Sequence, residues 1–214
     1  MPRPRVHDLD SVLEVATGLA VNSGVAAVTI RALSEATSVS NGALYHAFGS
    51  RAGLLGRAWL RAAEKFLALQ RHTVDLALDG DRPVDEATAV EAVVSTALCP
   101  AVFLDQDSTS AQLLLTVSRD DLLRSGGIPD DVAERLRKLD EALVAIFIRL
   151  SRSLWDRRDK RAVELIRVCI VELPTALLLR GGRHADAAAR DRLAAAVRAV
   201  LTISPTKPSR REHN

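Results

Sequence analysis

The sequence predicts an all-α protein of about nine helices, and three observations predict this class. Apolar residues recur every three or four positions along nearly the whole chain, which is the spacing of one helix face. No segment shows the strict alternation of apolar and polar residues that is typical of a strand. Clusters of glycine, proline, asparagine and aspartate separate the helical stretches. The 214 residues are 48% hydrophobic, which is enough for a substantial core.

The N-terminal stretch predicts four helices that are short or begin abruptly. The apolar face of the first is formed by Leu9, Val12, Leu13, Ala16, Leu19 and Ala20. Thr29 and Ser40 are predicted N-caps of two short helices, because a side-chain oxygen at that position accepts a hydrogen bond from a free backbone N–H. Ser50 is the predicted cap of a fourth helix. Two short helices joined by a tight turn, residues 30–37 and 41–48, are what a helix-turn-helix requires.

The rest of the chain predicts longer and more apolar helices. Turn signals stand at residues 79–83, 126–127 and 181–182, and residues 109–124 are predicted to form one helix that stops at the second of these turns. Pro100 must end or kink the helix that contains it, because proline has no backbone N–H. Pro129 opens a long helix with an apolar stripe formed by Val132, Leu136, Leu139, Leu143, Ile146, Leu150 and Leu154.

Composition and motifs argue against several functional classes. The net charge of +2 does not suggest a binder driven by charge alone. Cys99 and Cys169 stand in apolar stretches without a second ligand at metal spacing, which predicts buried reduced thiols. The N-terminus has no apolar core of a signal peptide and no unbroken apolar run reaches about 18 residues, so we expect a cytoplasmic protein without a membrane segment. The five histidines are scattered and no catalytic motif is present, so no metal or cofactor is expected.

The second helix of the predicted helix-turn-helix has two distinct faces. Leu44 and Phe48 lie four residues apart and should share the face that packs on the small domain. The opposite face is small at its N-terminal end and carries larger groups behind, which suits a helix that enters the major groove by that end. A plain surface helix is the alternative interpretation. The candidate DNA contacts are Thr29, Arg31, Ser40, Asn41, Gly42, Ala43, Tyr45, His46 and Arg51.

The same segment carries an extended pattern: a Thr, a helix, a Val-Ser turn, then Gly-x-Leu-Tyr-x-x-Phe and Ser-Arg-x-x-Leu. The residues that carry it are Thr29, Val39, Ser40, Gly42, Leu44, Tyr45, Phe48, Ser50 and Leu54. This pattern resembles the DNA-binding segment of tetracycline-repressor (TetR) family transcriptional regulators, over about residues 9–60. Ser38 departs from the family's usual glycine, and a positive φ there would carry a conformational cost. Arg51 replaces the family's lysine and keeps its charge, so the resemblance implies a phosphate contact.

The resemblance also implies a domain organisation. Residues 1–50 would form the helix-turn-helix DNA-binding domain, preceded by a basic arm with Arg3 and Arg5. Residues 51–203 would form a helical effector-binding and dimerisation domain. Residues 204–214 are polar and contain proline, and this composition predicts a disordered tail. For the arm, a terminus that touches no DNA is the alternative.

The candidate effector and dimer residues follow from that division. Large or polar groups within apolar helical stretches are candidate pocket residues: Trp59, Phe66, Cys99, Phe103, Gln112, Thr116, Phe147 and Trp155. Few charges interrupt these stretches, which favours an uncharged or hydrophobic small-molecule effector. Apolar residues of the last two helices are candidate dimer contacts: Ile166, Ile170, Leu173, Leu177, Leu193, Val197 and Val200. Ordinary core packing is the alternative for both sets.

The sequence therefore predicts a ligand-responsive regulator that binds double-stranded DNA as a homodimer, on a pseudo-palindromic operator, and represses until an effector releases it. Two alternatives remain open. One is a helical interaction module that keeps the helix-turn-helix without using it on DNA. The other is an α-helical enzyme, although no catalytic motif supports it.

Overall fold

The computed structural model describes residues 6–79, 84–124, 126–179 and 185–206. These residues contain ten α-helices and no strand, which confirms the all-α prediction and adds one helix to the predicted number of about nine. The helices are α1 (Val6–Ser23), α2 (Ile30–Thr37), α3 (Asn41–Phe48), α4 (Arg51–Leu78), α5 (Glu86–Gln106), α6 (Ser108–Thr116), α7 (Arg119–Arg124), α8 (Asp130–Trp155), α9 (Lys160–Arg167) and α10 (Ala187–Leu201).

The caps predicted for the helix-turn-helix are confirmed. The Thr29 hydroxyl accepts a hydrogen bond from the backbone N–H of Ala32 at 3.1 Å, and α2 begins after it. The Ser40 hydroxyl accepts one from the N–H of Ala43 at 3.2 Å, and α3 begins after it. Each cap supplies an acceptor to one of the free N–H groups at a helix start.

The turn between α2 and α3 depends on a left-handed residue that is not glycine. Ser38 has φ 57° and ψ 15°. The positive φ considered at this position is therefore present, and serine carries the steric cost that glycine would avoid. The turn nevertheless leaves both capped helices intact on either side.

Pro100 does not end its helix, since α5 continues through it to Gln106, which leaves a kink as the remaining predicted effect. One helix prediction differs from the structure. The stretch predicted as one helix over residues 109–124 is two helices, since Val117 is extended, with φ −111° and ψ 115°, and ends α6. Three predicted features lie outside the described residues: most of the turn at 79–83, the glycine pair at 181–182, and residues 207–214 of the tail.

Beyond Arg167 the α9 helix continues in wider turns. Val168–Glu172 and Thr175–Leu179 are π-helical, and Pro174 lies between them. Proline has no N–H to donate, so the regular hydrogen-bond ladder cannot pass through it, and widened turns accommodate the break.

The chain forms two compact units, one of residues 1–65 and 104–140, the other of residues 66–103 and 141–214. In the first, α1, α2 and α3 surround a core that also contains residues from α4 and α6. Its fully buried members include Val12, Ala16, Val28, Leu33, Leu44, Leu54 and Leu113. In the second, buried side chains come from α5, α8, α9 and α10, among them Val93, Leu150, Ile166 and Leu193.

One described helix, α5, is long and apolar enough to cross a membrane by length and composition alone. Half of its most apolar 18-residue stretch is buried inside the protein. A core helix of a soluble protein passes the same test, so this is weak evidence for a membrane segment.

Candidate nucleic-acid interface

The α3 helix presents the two faces predicted from its sequence. Leu44 and Phe48 are buried, at 0% and 3% exposure, and anchor the helix in the core of the first unit. On the other side Asn41, Tyr45 and His46 are exposed, and Tyr45 keeps 55% of its surface. Tyr45 is the one tyrosine of the chain, and its ring therefore lies at the surface beside His46 and not in the core.

The N-terminal end of α3 is thin and open. Gly42 is exposed, and a Cβ added to it would meet no heavy atom within 4 Å. Ala43 is half-buried and Asn41 is exposed. Small side chains here let the backbone come close to a flat partner, and the free N–H groups of the first turn carry partial positive charge.

The two candidate contacts on α2 are also at the surface. Thr29 is exposed at the start of the helix. The Arg31 side chain is 86% exposed, and its Nε donates to the Glu35 carboxylate at 2.8 Å. Exposed pairs of this kind contribute little, about 0–1 kcal/mol, so Arg31 can exchange Glu35 for a phosphate.

Arg51 is placed differently from the other candidates. Its Nε donates to the carbonyl of Val28 at 2.6 Å, and its Nη2 donates to the carbonyl of Val25. These carbonyls belong to the turn between α1 and α2, so the guanidinium is bound within the unit. The two arginines of the predicted arm, Arg3 and Arg5, lie outside the described residues.

The eight candidate pocket residues fall into two groups. Trp59, Gln112 and Thr116 belong to the first unit, and the other five belong to the second. Gln112 and Thr116 are exposed on α6, so they do not stand in an apolar interior as predicted. Trp59 is half-buried and its Nε1 donates to the carbonyl of Val117 at 2.9 Å, which satisfies its polar group within the unit.

In the second unit, Phe66 and Phe103 are in contact, with ring centroids 5.4 Å apart. Cys99 is buried nearby in α5 and its thiol donates to the Thr73 hydroxyl at 3.4 Å. Burial raises the pKa of this thiol, and the hydrogen bond only partly offsets it. Phe147 is buried and Trp155 is half-buried. The structure thus brings the two phenylalanines together.

Four of the seven candidate dimer residues are covered within the single chain. Ile166, Leu193 and Val197 have no exposed surface and Ile170 has 2%. They belong to the chain's own core, so they offer no surface to a second copy. The three others are half-buried and retain surface that a partner could cover: Leu173, Leu177 and Val200.

The first turn of α4 makes contacts that the sequence did not predict. Ser50 Oγ accepts from the N–H of Gly53 at 2.9 Å, as a predicted cap should, and also donates to the carbonyl of Gly127 at 2.6 Å. Gly53 and Gly56 let residues 128–132 approach closely, since a Cβ on either glycine would lie within 3.2 Å of that segment. Two glycines three residues apart in a helix were the available signal for such an approach.

A polar cavity of about 300 Å³ lies in the first unit, between α1, α4 and α6. Its charged groups pair with one another: Arg61 binds Glu14 at 3.0 Å and Lys65 binds Asp107 at 2.7 Å. Partial burial acts to raise the pKa of Asp107, but hydrogen bonds from Lys65 and from the start of α6 outweigh it and lower the pKa overall. Among the described residues, no group of three or more His, Cys, Asp or Glu side chains is arranged to hold a metal ion.

Comparison with known proteins identifies the N-terminal region. The family model described as bacterial regulatory proteins, tetR family, matches residues 12–58, which span α1 to the first turns of α4. A search of curated proteins finds no match.

Solved structures share the fold over almost the whole chain. PfmR, a TetR-family transcriptional regulator from Thermus thermophilus, is 18% identical with a TM-score of 0.65, and the match covers 92% of this chain and 97% of PfmR. The superantigen PfiT is 15% identical with a TM-score of 0.63, covering 95% and 98% of the two chains. The multidrug binding protein EbrR, solved with imidazole, is 16% identical with a TM-score of 0.60, covering 97% and 99%.

A capped helix-turn-helix with an exposed second helix, followed by a larger set of helices, is typical of DNA-binding transcriptional regulators. Residues 12–58 match the model described as bacterial regulatory proteins, tetR family, so this part of the chain is similar to the DNA-binding region of that family. The resemblance drawn from the sequence is thereby confirmed.

Proposed function

We propose that the protein is a homodimeric repressor that binds a pseudo-palindromic operator and releases it when a small-molecule effector binds. The observation that carries the DNA-binding part is the exposed face of α3, whose apolar back is held in the core by Leu44 and Phe48. The family match over residues 12–58 supports the same assignment.

On this proposal the N-terminal end of α3 enters the major groove. Asn41 offers its amide to an adenine edge, and Gly42 and Ala43 allow close approach to base edges or a thymine methyl. Tyr45 and His46 reach phosphate oxygens. These roles account for the exposed face of α3, which has small side chains at its N-terminal end and ring side chains in the following turn.

Contacts from the helix starts fix the register on the backbone. Thr29 and Ser40 place hydroxyls and unpaired N–H groups where phosphates can sit, and Arg31 adds a positive charge. Such contacts position the protein without reading sequence. Sequence discrimination then rests on the first residues of α3.

Dimerisation would place two copies of α3 about 34–36 Å apart, in successive major grooves. Because four of the predicted dimer residues are internal, we assign the interface to the half-buried residues of the α9 extension and α10. Leu173, Leu177 and Val200 are the candidates that remain from the sequence.

The effector site is assigned to the second unit, where aromatic and apolar side chains predominate. The Phe66–Phe103 contact and the buried Phe147 favour an uncharged or hydrophobic ligand. The α4 helix is the proposed lever, since it begins directly after α3 and is continuous to Leu78. An effector that favours another orientation of α4 shifts the population away from the DNA-competent spacing. We also propose a cytoplasmic location, as DNA binding requires.

A helical interaction module is the second candidate function. The fold also occurs in PfiT, which is described as a superantigen, so the fold by itself does not require DNA binding. Replacing Tyr45 by alanine separates the two. Loss of DNA binding with an unchanged melting temperature supports the regulator, and the absence of any DNA binding in wild type supports the module. The enzyme alternative has no observation in its favour.

The proposal is tested by selecting duplexes from a randomised pool with the purified protein and footprinting the selected sequence. We expect two protected half-sites whose centres lie about 10 base pairs apart, or a multiple of that distance. We also expect a hydrophobic compound from a screened library to release the duplex. A single protected half-site would argue against the dimer, and failure to enrich any sequence would argue against the regulator.

A further inference from the structure

We propose that Arg51 is a positioning residue for DNA recognition: it holds the turn between α1 and α2 against the start of α4, and so sets the orientation in which α2 and α3 meet DNA. This inference rests on the proposed function. It replaces the phosphate contact that the sequence resemblance implies for this position.

The guanidinium makes two directed contacts to one turn. Its Nε donates to the carbonyl of Val28 at 2.6 Å and its Nη2 donates to the carbonyl of Val25. A guanidinium presents its N–H donors in a rigid planar fork, so two bonds along one edge fix both the distance and the angle of the turn. That edge is then no longer free for a phosphate.

The turn that Arg51 holds leads directly into the helix-turn-helix. Val28 is fully buried, and the next residue, Thr29, caps α2. A shift of Val28 therefore moves the start of α2. Since Leu33 of α2 and Leu44 of α3 share one buried core, the recognition helix moves with it.

The other end of the contact is fixed at the level of the backbone. Ser50 caps α4 through the N–H of Gly53 and donates to the carbonyl of Gly127. A Cβ at Gly53 would lie 2.2 Å from the Phe48 carbonyl oxygen and 2.9 Å from Cδ of Pro129. The first turn of α4 is therefore packed closely against Phe48 and Pro129. The backbone that carries Arg51 is held in place by these contacts.

Arg31 provides the contrast within the same domain. Its side chain is 86% exposed and its partner, Glu35, lies one turn further along the same helix. That pair ties α2 only to itself, so Arg31 can leave it for a phosphate, whereas Arg51, although also exposed, has Nε and Nη2 bound to two carbonyls of another segment. Arg31 is therefore the matched control for a charge that contacts DNA.

The test measures the dissociation constant for a duplex selected by wild type, and for a scrambled duplex, over a range of salt concentrations. The variants are Arg51→Lys, Arg51→Met and Arg31→Met, each checked by thermal unfolding. Lysine keeps the charge of Arg51 but lacks the planar fork that binds both carbonyls. We expect Arg51→Lys to weaken binding to the selected duplex by about tenfold or more, because two charge-assisted hydrogen bonds are removed.

The salt dependence separates positioning from phosphate binding. Arg51→Lys should leave the salt slope and the affinity for the scrambled duplex at wild-type values, whereas Arg31→Met should reduce the slope by about 0.9 for each phosphate that the side chain neutralised. The positioning role is overturned if Arg51→Lys binds within about threefold of wild type while Arg51→Met reduces the slope as Arg31→Met does. If wild type selects no sequence, the proposed function itself fails, which is a separate and recognisable result.

Discussion

Replacing Gly42 by alanine should raise stability and weaken DNA binding at the same time. Gly42 is the second residue of α3, and a Cβ there meets no heavy atom within 4 Å. Alanine loses less backbone entropy on folding, so the free energy of unfolding should rise by about 0.5–1 kcal/mol. For a chain of this size that corresponds to an increase in melting temperature of about 1–4 °C.

The effect on DNA should have the opposite sign. The added methyl thickens the edge of α3 that meets the bases, and we expect a loss of about tenfold in affinity for the selected duplex, or about 1.4 kcal/mol. Gly18 is the matched control, since it lies in α1 and its Cβ would also meet open space. Gly18→Ala should give a similar gain in stability without a change in affinity.

Differential scanning calorimetry and fluorescence anisotropy with a labelled duplex measure the two quantities. If Gly42→Ala bound the selected duplex as tightly as Gly18→Ala does, the N-terminal end of α3 would not be at the base edges. That result would refute the placement of α3 in the major groove by its N-terminal end.

Three further predictions concern stability and reactivity. Ser38→Gly should leave the free energy of unfolding in urea unchanged or raise it by up to about 1 kcal/mol. Glycine removes the steric cost of the left-handed φ of 57°, and this gain should at least offset the greater conformational entropy of glycine in the unfolded chain. A decrease in the free energy of unfolding would contradict this prediction. Asp107→Ala should lower the free energy of unfolding by about 1 kcal/mol at pH 7, because the N-cap of α6 and the ion pair with Lys65 are lost. The pKa of Asp107 is lower in the folded than in the unfolded protein, so its contribution to stability is complete above the unfolded pKa and is lost as pH falls through the folded pKa. Plots of the free energy of unfolding against pH for wild type and Asp107→Ala should therefore converge below about pH 4. Plots that stay parallel would count against the assignment. Cys99 and Cys169 should react slowly with Ellman's reagent at neutral pH and rapidly in urea. Burial raises the pKa of both thiols, that of Cys169 to about 12, so little thiolate is present in the folded protein. Fast reaction of either thiol in the folded protein would be inconsistent with its burial.

The helix-turn-helix could be predicted from sequence because its determinants are local. Thr29 and Ser40 cap helices through hydrogen bonds three residues away, and the four-residue spacing of Leu44 and Phe48 sets the buried face of α3. A positive φ at Ser38 could be considered because the family that the segment resembles usually has glycine at this position. Each of these features depends on neighbours within about one helical turn.

Local sequence patterns say less where distant residues determine the outcome. An apolar residue in a helix has the same signature whether it faces its own core or a second copy, so the burial of Ile166 and Leu193 within the chain could not be read from periodicity. Arg51 has the charge expected of a phosphate contact, but its partners, Val25 and Val28, lie more than twenty residues earlier.

The central claim is that the exposed face of α3 reads a specific DNA sequence. The most direct measurement is the ratio of dissociation constants for a selected duplex and a scrambled duplex of equal length and composition, at about 0.15 M salt. We expect a ratio of at least about 1,000 in favour of the selected duplex, and this ratio should fall about tenfold for Asn41→Ala in a protein that still folds, because Asn41 is the residue assigned to an adenine edge. A ratio within about tenfold would mean that the protein binds DNA only through its charge, and would contradict the claim.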